Sequence, residues 1–156
     1  MKIRNYIEQD KSDCLAIVRT NVPGYFSEAD YKDFKEWFEN QDCQNLYVII
    51  DDDMTIGIGG FYFQNGQTKL IYGLIHSDYY GKGYGRCLTE YRIKKIKEID
   101  STIPIGLETT EKTYRFFEKF GFKTVDIVPK YYYGKFDKYE MILEPEKEMK
   151  TPTDTK

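Results

Sequence analysis

Gly81, Gly83 and Gly85 alternate within Ile75-His76-Ser77-Asp78-Tyr79-Tyr80-Gly81-Lys82-Gly83-Tyr84-Gly85-Arg86-Cys87-Leu88, directly ahead of a helical pattern. The preceding Lys69 to His76 reads as a strand. A strand that feeds a glycine-rich loop opening a helix suits an anion. Glycine lets the backbone approach closely, and the first free N–H groups of the helix point at the ligand along the helix dipole. The spacing excludes two common versions. A P-loop requires Gly-x-x-x-x-Gly-Lys-Ser/Thr, and no Lys-Ser or Lys-Thr follows these glycines. The dinucleotide pattern Gly-x-Gly-x-x-Gly is not met by Gly-x-Gly-x-Gly. A turn that caps a helix and binds nothing stays open beside the phosphate reading.

Other residues with chemical potential are sparse. His76 is the only histidine and has a suitable intrinsic pKa. Glu108 closes the strand after the helix. Asp51-Asp52-Asp53 reads as a solvated hairpin turn, because consecutive side chains diverge and no further ligand spacing accompanies them. Cys14, Cys43 and Cys87 are odd in number and not in metal spacing, so they read as free thiols in a reducing cytoplasm.

The elements that must hold these residues follow from periodicity. Lys2 to Gln9 alternates as a first strand, and Asp10 is placed to cap a helix with Leu15 and Val18 inward. Ser27-Glu28-Ala29-Asp30 forms a capping box ahead of a helix carrying Tyr31, Phe34, Trp37 and Phe38 at helical spacing. Leu46 to Ile50 is a buried strand. Ile56 to Phe63 follows, with Gly57, Gly59 and Gly60 marking a bend or bulge, and Asn65-Gly66 is a strong hairpin signal. A helix from Gly83 to about Ile99 presents Tyr84, Cys87, Leu88, Tyr91 and Ile99 on one face, with Arg92, Lys94, Lys95 and Lys97 read as a solvated face. Next come a strand ending near Glu108, a short helix from about Thr110 to Phe120 stopped by Gly121, and strands Phe122 to Val128 and Phe136 to Leu143. Between the last two lies Tyr131-Tyr132-Tyr133-Gly134.

The order β-α-α-β-β-β-α-β-α-β-β predicts an α/β (α+β) fold with a mixed sheet and helices on both faces. At 156 residues the chain is expected to form one domain over 1–145, with a polar, disordered tail over 146–156. No apolar run approaches the roughly 20 residues that cross a bilayer, and a formal net charge of -3 argues against nucleic-acid binding. With 15 tyrosines, some must line a core or cleft.

Two stretches at the right separation resemble the GNAT superfamily of acyl-CoA-dependent N-acetyltransferases. Members typically carry Val-x-Pro-x-Tyr-Arg-Gly-Lys-Gly-Ile-Gly, against Ile75-His76-Ser77-Asp78-Tyr79-Tyr80-Gly81-Lys82-Gly83-Tyr84-Gly85 here. Their Asn-x-x-Phe-Tyr-Glu-Lys-x-Gly-Phe is similar to Thr113-Tyr114-Arg115-Phe116-Phe117-Glu118-Lys119-Phe120-Gly121-Phe122. Element order extends the resemblance over about residues 2 to 144. It implies a mostly antiparallel mixed sheet and acetyl-CoA as acyl donor, with no metal. It also implies that Leu74, Ile75 and His76 pair through their backbone with the pantetheine arm. Tyr80, Gly81, Lys82, Gly83, Tyr84, Gly85 and Arg86 would wrap the pyrophosphate, and Thr113, Phe116 and Phe117 would border the thiol end.

The departures define the open half of the site. Tyr80 stands where members have Arg or Gln. Phe117 stands where many have the tyrosine that protonates the departing thiolate; Tyr114 or a tyrosine of the 131–133 run are the substitutes, with water as the alternative. No acid lies on the strand before the loop, so Glu108 is the candidate base. The implied reaction is transfer of acetyl to a primary amine, on a small molecule or peptide, by direct attack in a ternary complex. The acidic balance favours a cationic acceptor. Cys87 as an acyl carrier is disfavoured by its packed face. A cytoplasmic location is implied, and monomer and homodimer are equally open. The competing class is an acetyl-CoA-binding sensor or interaction module that has lost its chemistry; a nucleotide-binding protein ranks below both.

Overall fold

Alternation in the strands and three-four spacing in the helices resolve into one sheet with a hydrophobic core on each face. The computed structural model describes residues 1–40 and 45–146. The elements are β1 (Lys2–Asn5), α1 (Lys11–Thr20), α2 (Glu28–Asn40), β2 (Leu46–Asp51), β3 (Met54–Gln64), β4 (Gln67–Ile75), α3 (Tyr84–Ile99), β5 (Ile105–Thr109), α4 (Tyr114–Glu118), β6 (Lys123–Tyr132) and β7 (Phe136–Leu143). The sheet order is β1-β2-β3-β4-β5-β7-β6. Every neighbouring pair is antiparallel except β4 with β5. The expected mixed, mostly antiparallel architecture is therefore present in the expected element order.

One core packs α1 and α2 against the sheet through Cys14, Val18, Phe34, Phe38, Ile58 and Leu74. The other joins α3 and the later elements through Ile96, Leu107, Phe122 and Met141. Ser27 caps α2 as its sequence indicates: its Oγ accepts from the Asp30 N–H at 3.1 Å, and the Asp30 carboxylate accepts from the Ser27 N–H at 2.7 Å. Asn65 and Gly66 carry φ of 54° and 72°, the left-handed pair that a two-residue hairpin demands. Asp52 and Asp53, at φ 50° and 59°, make the same kind of turn between β2 and β3.

Several boundaries differ from the sequence expectation. The first strand stops at Asn5, and a 3-10 turn spans Glu8–Asp10. Asp10 does not cap α1 with its side chain. Its buried carboxylate instead takes two bonds from Arg4, at 2.8 and 2.9 Å, and one from the Ile7 N–H at 2.9 Å. A bidentate guanidinium outcompetes a helix N–H for the same oxygens. The fourth helix is short because residues 110–113 form a turn on the Thr110 carbonyl, which accepts from both Thr113 and Tyr114. The sixth strand runs on to Tyr132, so Tyr131 and Tyr132 belong to it and not to a connection.

The largest revision concerns α3. Its buried residues are Leu88, Thr89, Arg92 and Ile96, whereas Ile99, in phase but in the last turn, is 55% exposed. Arg92 is thus not part of a solvated basic face. It lies midway along the i, i+4, i+8 stripe, and its charge concealed that position. No helix among the described residues is long and apolar enough to cross a membrane. Cys43 and the polar tail from residue 147 lie outside the described residues.

Candidate active site

The parallel pair that closes the two halves of the sheet is very short. Its register contains only Thr68↔Ile105 and Lys69↔Gly106. Beyond Lys69 the edge of β4 has no ladder partner on its β5 side, so the strands splay and open a cleft of about 840 Å³. On its other side β4 carries a bulge. Ile58 pairs with Leu74 and Gly60 with Ile71, leaving Tyr72 and Gly73 opposite Gly59 alone. One extra residue reverses the facing of the side chains that follow it. Leu70 accordingly belongs to the α3-side core and Leu74 to the α1–α2 core, although even spacing would put them on one face. Tyr72 absorbs the bulge with φ of 51°, its ring packed between Phe34 and Trp37.

The glycine loop closes one end of the cleft. Gly81 and Gly83 have φ of 73° and 88°, and a Cβ at either would meet nothing within 4 Å. Their surroundings are an open cradle, not packed protein. Gly83 is the N-cap of α3 and supplies no side-chain acceptor to its first-turn N–H groups, and no acidic residue occupies that turn. Unsatisfied donors, the positive helix end and empty space are what a pyrophosphate needs, so the residues fit the phosphate portion of acetyl-CoA. Tyr80, where the resemblance expects a charged or amide side chain, stays 42% exposed while its hydroxyl end turns to Asn21. Its hydroxyl bonds the Asn21 carboxamide oxygen, its ring meets Tyr25 edge-on, and burial pushes its phenol up to about 12.

Toward the splay the walls become acidic and aromatic. Asp30 and Asp33 of α2, Glu108 of β5 and Tyr132 of β6 all line this end. The Glu108 carboxylate is gripped by the Lys69 ammonium from the adjoining strand. Burial, with the Glu108 charge second, raises the phenol of Tyr132 well above its ordinary range. Lys112 bridges the mouth. Its Nζ donates to the Gly24 carbonyl at 2.7 Å from the opposite wall and lies over the rings of Tyr25 and Phe136.

Of the residues singled out from sequence, Leu74, Ile75, Tyr80, Gly81, Gly83, Tyr84, Gly85, Arg86, Glu108, Thr113, Phe116 and Phe117 meet along this one cleft. His76, Lys82 and Tyr114 are not in its lining. The His76 ring is engaged locally, Nδ1 accepting from the Asp78 N–H at 3.1 Å. Tyr114 stacks on Tyr139 at 4.4 Å between ring centroids, and its hydroxyl accepts from Arg115 Nε at 3.1 Å. That stacking keeps its ring out of the cleft. Within the tyrosine run only Tyr132 reaches the cleft; Tyr133 donates to Asp33 at 2.6 Å from outside the lining. Cys87 is half-buried and outside the lining as well.

Sequence reading missed Arg92, Lys69, Lys112 and the aspartates of α2. The aspartates and lysines carried no local signal, since they meet the cleft only through tertiary packing. Arg92 did carry one, its place between Leu88 and Ile96.

Comparison with known proteins gives the same fold. The chain resembles the ribosomal-protein-S18-alanine N-acetyltransferase of Escherichia coli at a TM-score of 0.77 and 18% identity, covering 95% of this chain and 96% of that one. An N-acetyltransferase from Staphylococcus aureus Mu50 is similar at 0.74 and 18%, covering 92% and 97%. An aminoglycoside 6'-N-acetyltransferase complexed with coenzyme A is similar at 0.73 and 17%, covering 95% and 100%. At such identities the likeness is one of fold. No curated protein matches the sequence. The family model of the acetyltransferase (GNAT) domain matches residues 42–124, more than half of the chain. That span contains β4, the glycine loop, α3, β5 and α4, which together form most of the cleft, and the family uses acetyl-CoA. The chain belongs to the GNAT family and is an acetyltransferase.

Proposed function

We propose that the protein moves an acetyl group from acetyl-CoA to a primary amine by direct attack in a ternary complex, with residues 1–145 as the catalytic unit in the cytoplasm. One observation carries the reading: a continuous cleft joins the uncapped glycine loop to an acidic, tyrosine-lined end across the free edge of β4. Bound acetyl-CoA supplies an activated acetyl group with a thiolate leaving group. The backbone from Tyr80 to Arg86 holds the pyrophosphate, the backbone of Leu74 and Ile75 holds the pantetheine, and Thr113, Phe116 and Phe117 border the sulfur. His76, expected to join Leu74 and Ile75, has its N–H on the Ile56 carbonyl instead.

The acceptor enters as an ammonium and must become an amine before it attacks. Glu108, directly or through water, takes that proton. As the C–N bond forms, the C–S bond breaks, and the sulfur leaves with the bonding pair and takes up a proton. The nitrogen gives up its second proton, directly or through water, to the group that protonated the sulfur, leaving a neutral amide. Tyr132 is suited to supply the sulfur's proton, because a phenol with a raised pKa stays protonated at neutral pH. Asp30, Asp33 and Glu108 favour a cationic acceptor, a small molecule or a peptide. The sensor reading keeps two observations in its favour: Phe117, at the thiol end, has no hydroxyl, and Glu108 is already engaged by Lys69.

Coenzyme A release measured with a thiol reagent across a broad amine panel separates the two. The proposal expects release that depends on both protein and amine. Tight binding of acetyl-CoA without release across the panel supports the sensor, and equal affinity for ATP overturns both.

A further inference from the structure

Arg92 is 2% exposed and finds no carboxylate within ion-pair reach among the described residues. Its Nη1 donates to the Gly60 carbonyl at 3.2 Å and to the Ile71 carbonyl at 3.3 Å, bridging β3 and β4 at the bulge. Its Nε lies 3.4 Å from the Leu88 carbonyl. Two glycines make room for it. A Cβ on Gly59 would lie 3.1 Å from the guanidinium carbon, and one on Gly73 would lie 2.7 Å from Nη2. The chain thus gives up side chains on two strands to keep under the cleft, which this same residue lines, a charge that no carboxylate among the described residues neutralises.

Such a charge is costly for folding alone. A buried ion without a counterion is stabilising only if its hydrogen bonds replace water completely, and apolar residues of similar volume often serve as well or better. Its place suggests another use. A trans peptide is planar, so when the Ile71 carbonyl is turned to Arg92 the N–H of Tyr72 in the same peptide faces the opposite way, toward the side of β4 that β5 leaves open. A cation on the carbonyl both fixes that plane and polarises its N–H.

We propose that Arg92 is a positioning residue for acetyl transfer: through the Ile71–Tyr72 peptide it orients and polarises a donor on the β4 edge toward the thioester oxygen, where negative charge grows during attack. The inference rests on the acetyl-transfer reading but is separable from it. The decisive readout is the carbonyl stretch of carbonyl-13C-labelled acetyl-CoA bound to the protein, followed by difference infrared spectroscopy in wild type, Arg92→Met and Arg92→Lys.

The bound carbonyl band should sit below that of the free thioester in wild type, return most of the way in Arg92→Met, and lie between in Arg92→Lys. With any accepted amine, kcat should fall roughly tenfold or more in Arg92→Met while the KM for acetyl-CoA stays within about threefold. The thermal midpoint should stay level or rise. A merely structural Arg92 gives the reverse: a lowered midpoint, KM rising with the loss of kcat, and no change in the band. That result overturns the proposal, as does an Arg92→Met protein with full kcat. Should Arg92→Met fail to fold, Arg92→Lys and Arg92→Gln carry the same comparison. If wild type binds acetyl-CoA but acetylates nothing, the band still tests Arg92 while the acetyl-transfer reading fails by itself.

Discussion

In the proposed reaction, Tyr132 and Glu108 divide the two proton transfers between them. Tyr132 is pushed toward its protonated form by burial and by the carboxylates around it, so it keeps its proton throughout the neutral range. Tyr132→Phe should lower kcat by roughly tenfold to a hundredfold between pH 7 and 9, leaving the acid limb of the pH profile unmoved; stopped-flow detection of released thiol reads it. Glu108→Gln should instead move the acid limb upward in pH, since only amine already deprotonated in solution can then react. Asp10 makes a stability prediction. Arg4 and the Ile7 N–H hold its carboxyl below the ordinary carboxylate range. A depressed folded pKa gives stability that is full above the unfolded value and lost as pH falls through the folded one. Asp10→Asn should therefore cost about 2 kcal/mol in urea melts at pH 7, and the deficit should shrink below roughly pH 4. From sequence, Glu108 was visible because it ends a strand, whereas Lys69, its partner, was not. The tyrosine run showed that a phenol could be near, but only the length of β6 decides that Tyr132 is the one facing the cleft.

At the scale of elements, the loop and helix that open α3 tolerate little substitution. Gly83 sits at φ of 88° with no neighbour to accommodate, so its requirement is backbone conformation and space for the ligand. Gly83→Ala should lower stability by about 1 kcal/mol, the ordinary strain of a left-handed alanine, and weaken acetyl-CoA binding about tenfold more than that loss alone explains. Calorimetric titration beside thermal melts checks both numbers. On the opposite wall, Lys112 ties the β5–α4 turn to the α1–α2 connection through Gly24. Lys112→Ala should speed association of acetyl-CoA a few-fold with little change in kcat, as seen by stopped-flow fluorescence of Trp37. These elements were legible to different degrees. Asn65-Gly66, the Ser27 capping box and the glycine loop are local grammar and appear where their residues put them. The bulge was signalled by Gly57, Gly59 and Gly60 but not located, because its partner residues Tyr72 and Gly73 look like ordinary strand.

For the whole molecule, the proposed function follows from how short the β4–β5 ladder is. The α1–α2 core lies on one face, the other core runs across both halves of the sheet from Phe61 and Leu70 to Phe122 and Met141, and the β4–β5 ladder between the halves has only two residue pairs. That short seam creates a cleft without sacrificing either core. The fold was readable because period-two and helical patterns alternate cleanly along the chain. The acceptor end was not, because it assembles α2, β5 and β6, which lie far apart in sequence. On the proposed reading this cleft passes an acetyl group from acetyl-CoA to an amine. Incubation with doubly 13C-labelled acetyl-CoA and an amine panel, read by mass spectrometry of products and intact protein, tests it most directly. The account predicts one labelled acetyl on the amine for each coenzyme A released and an unlabelled protein. Coenzyme A release with the label in free acetate or on the protein, and none on any amine, would contradict it.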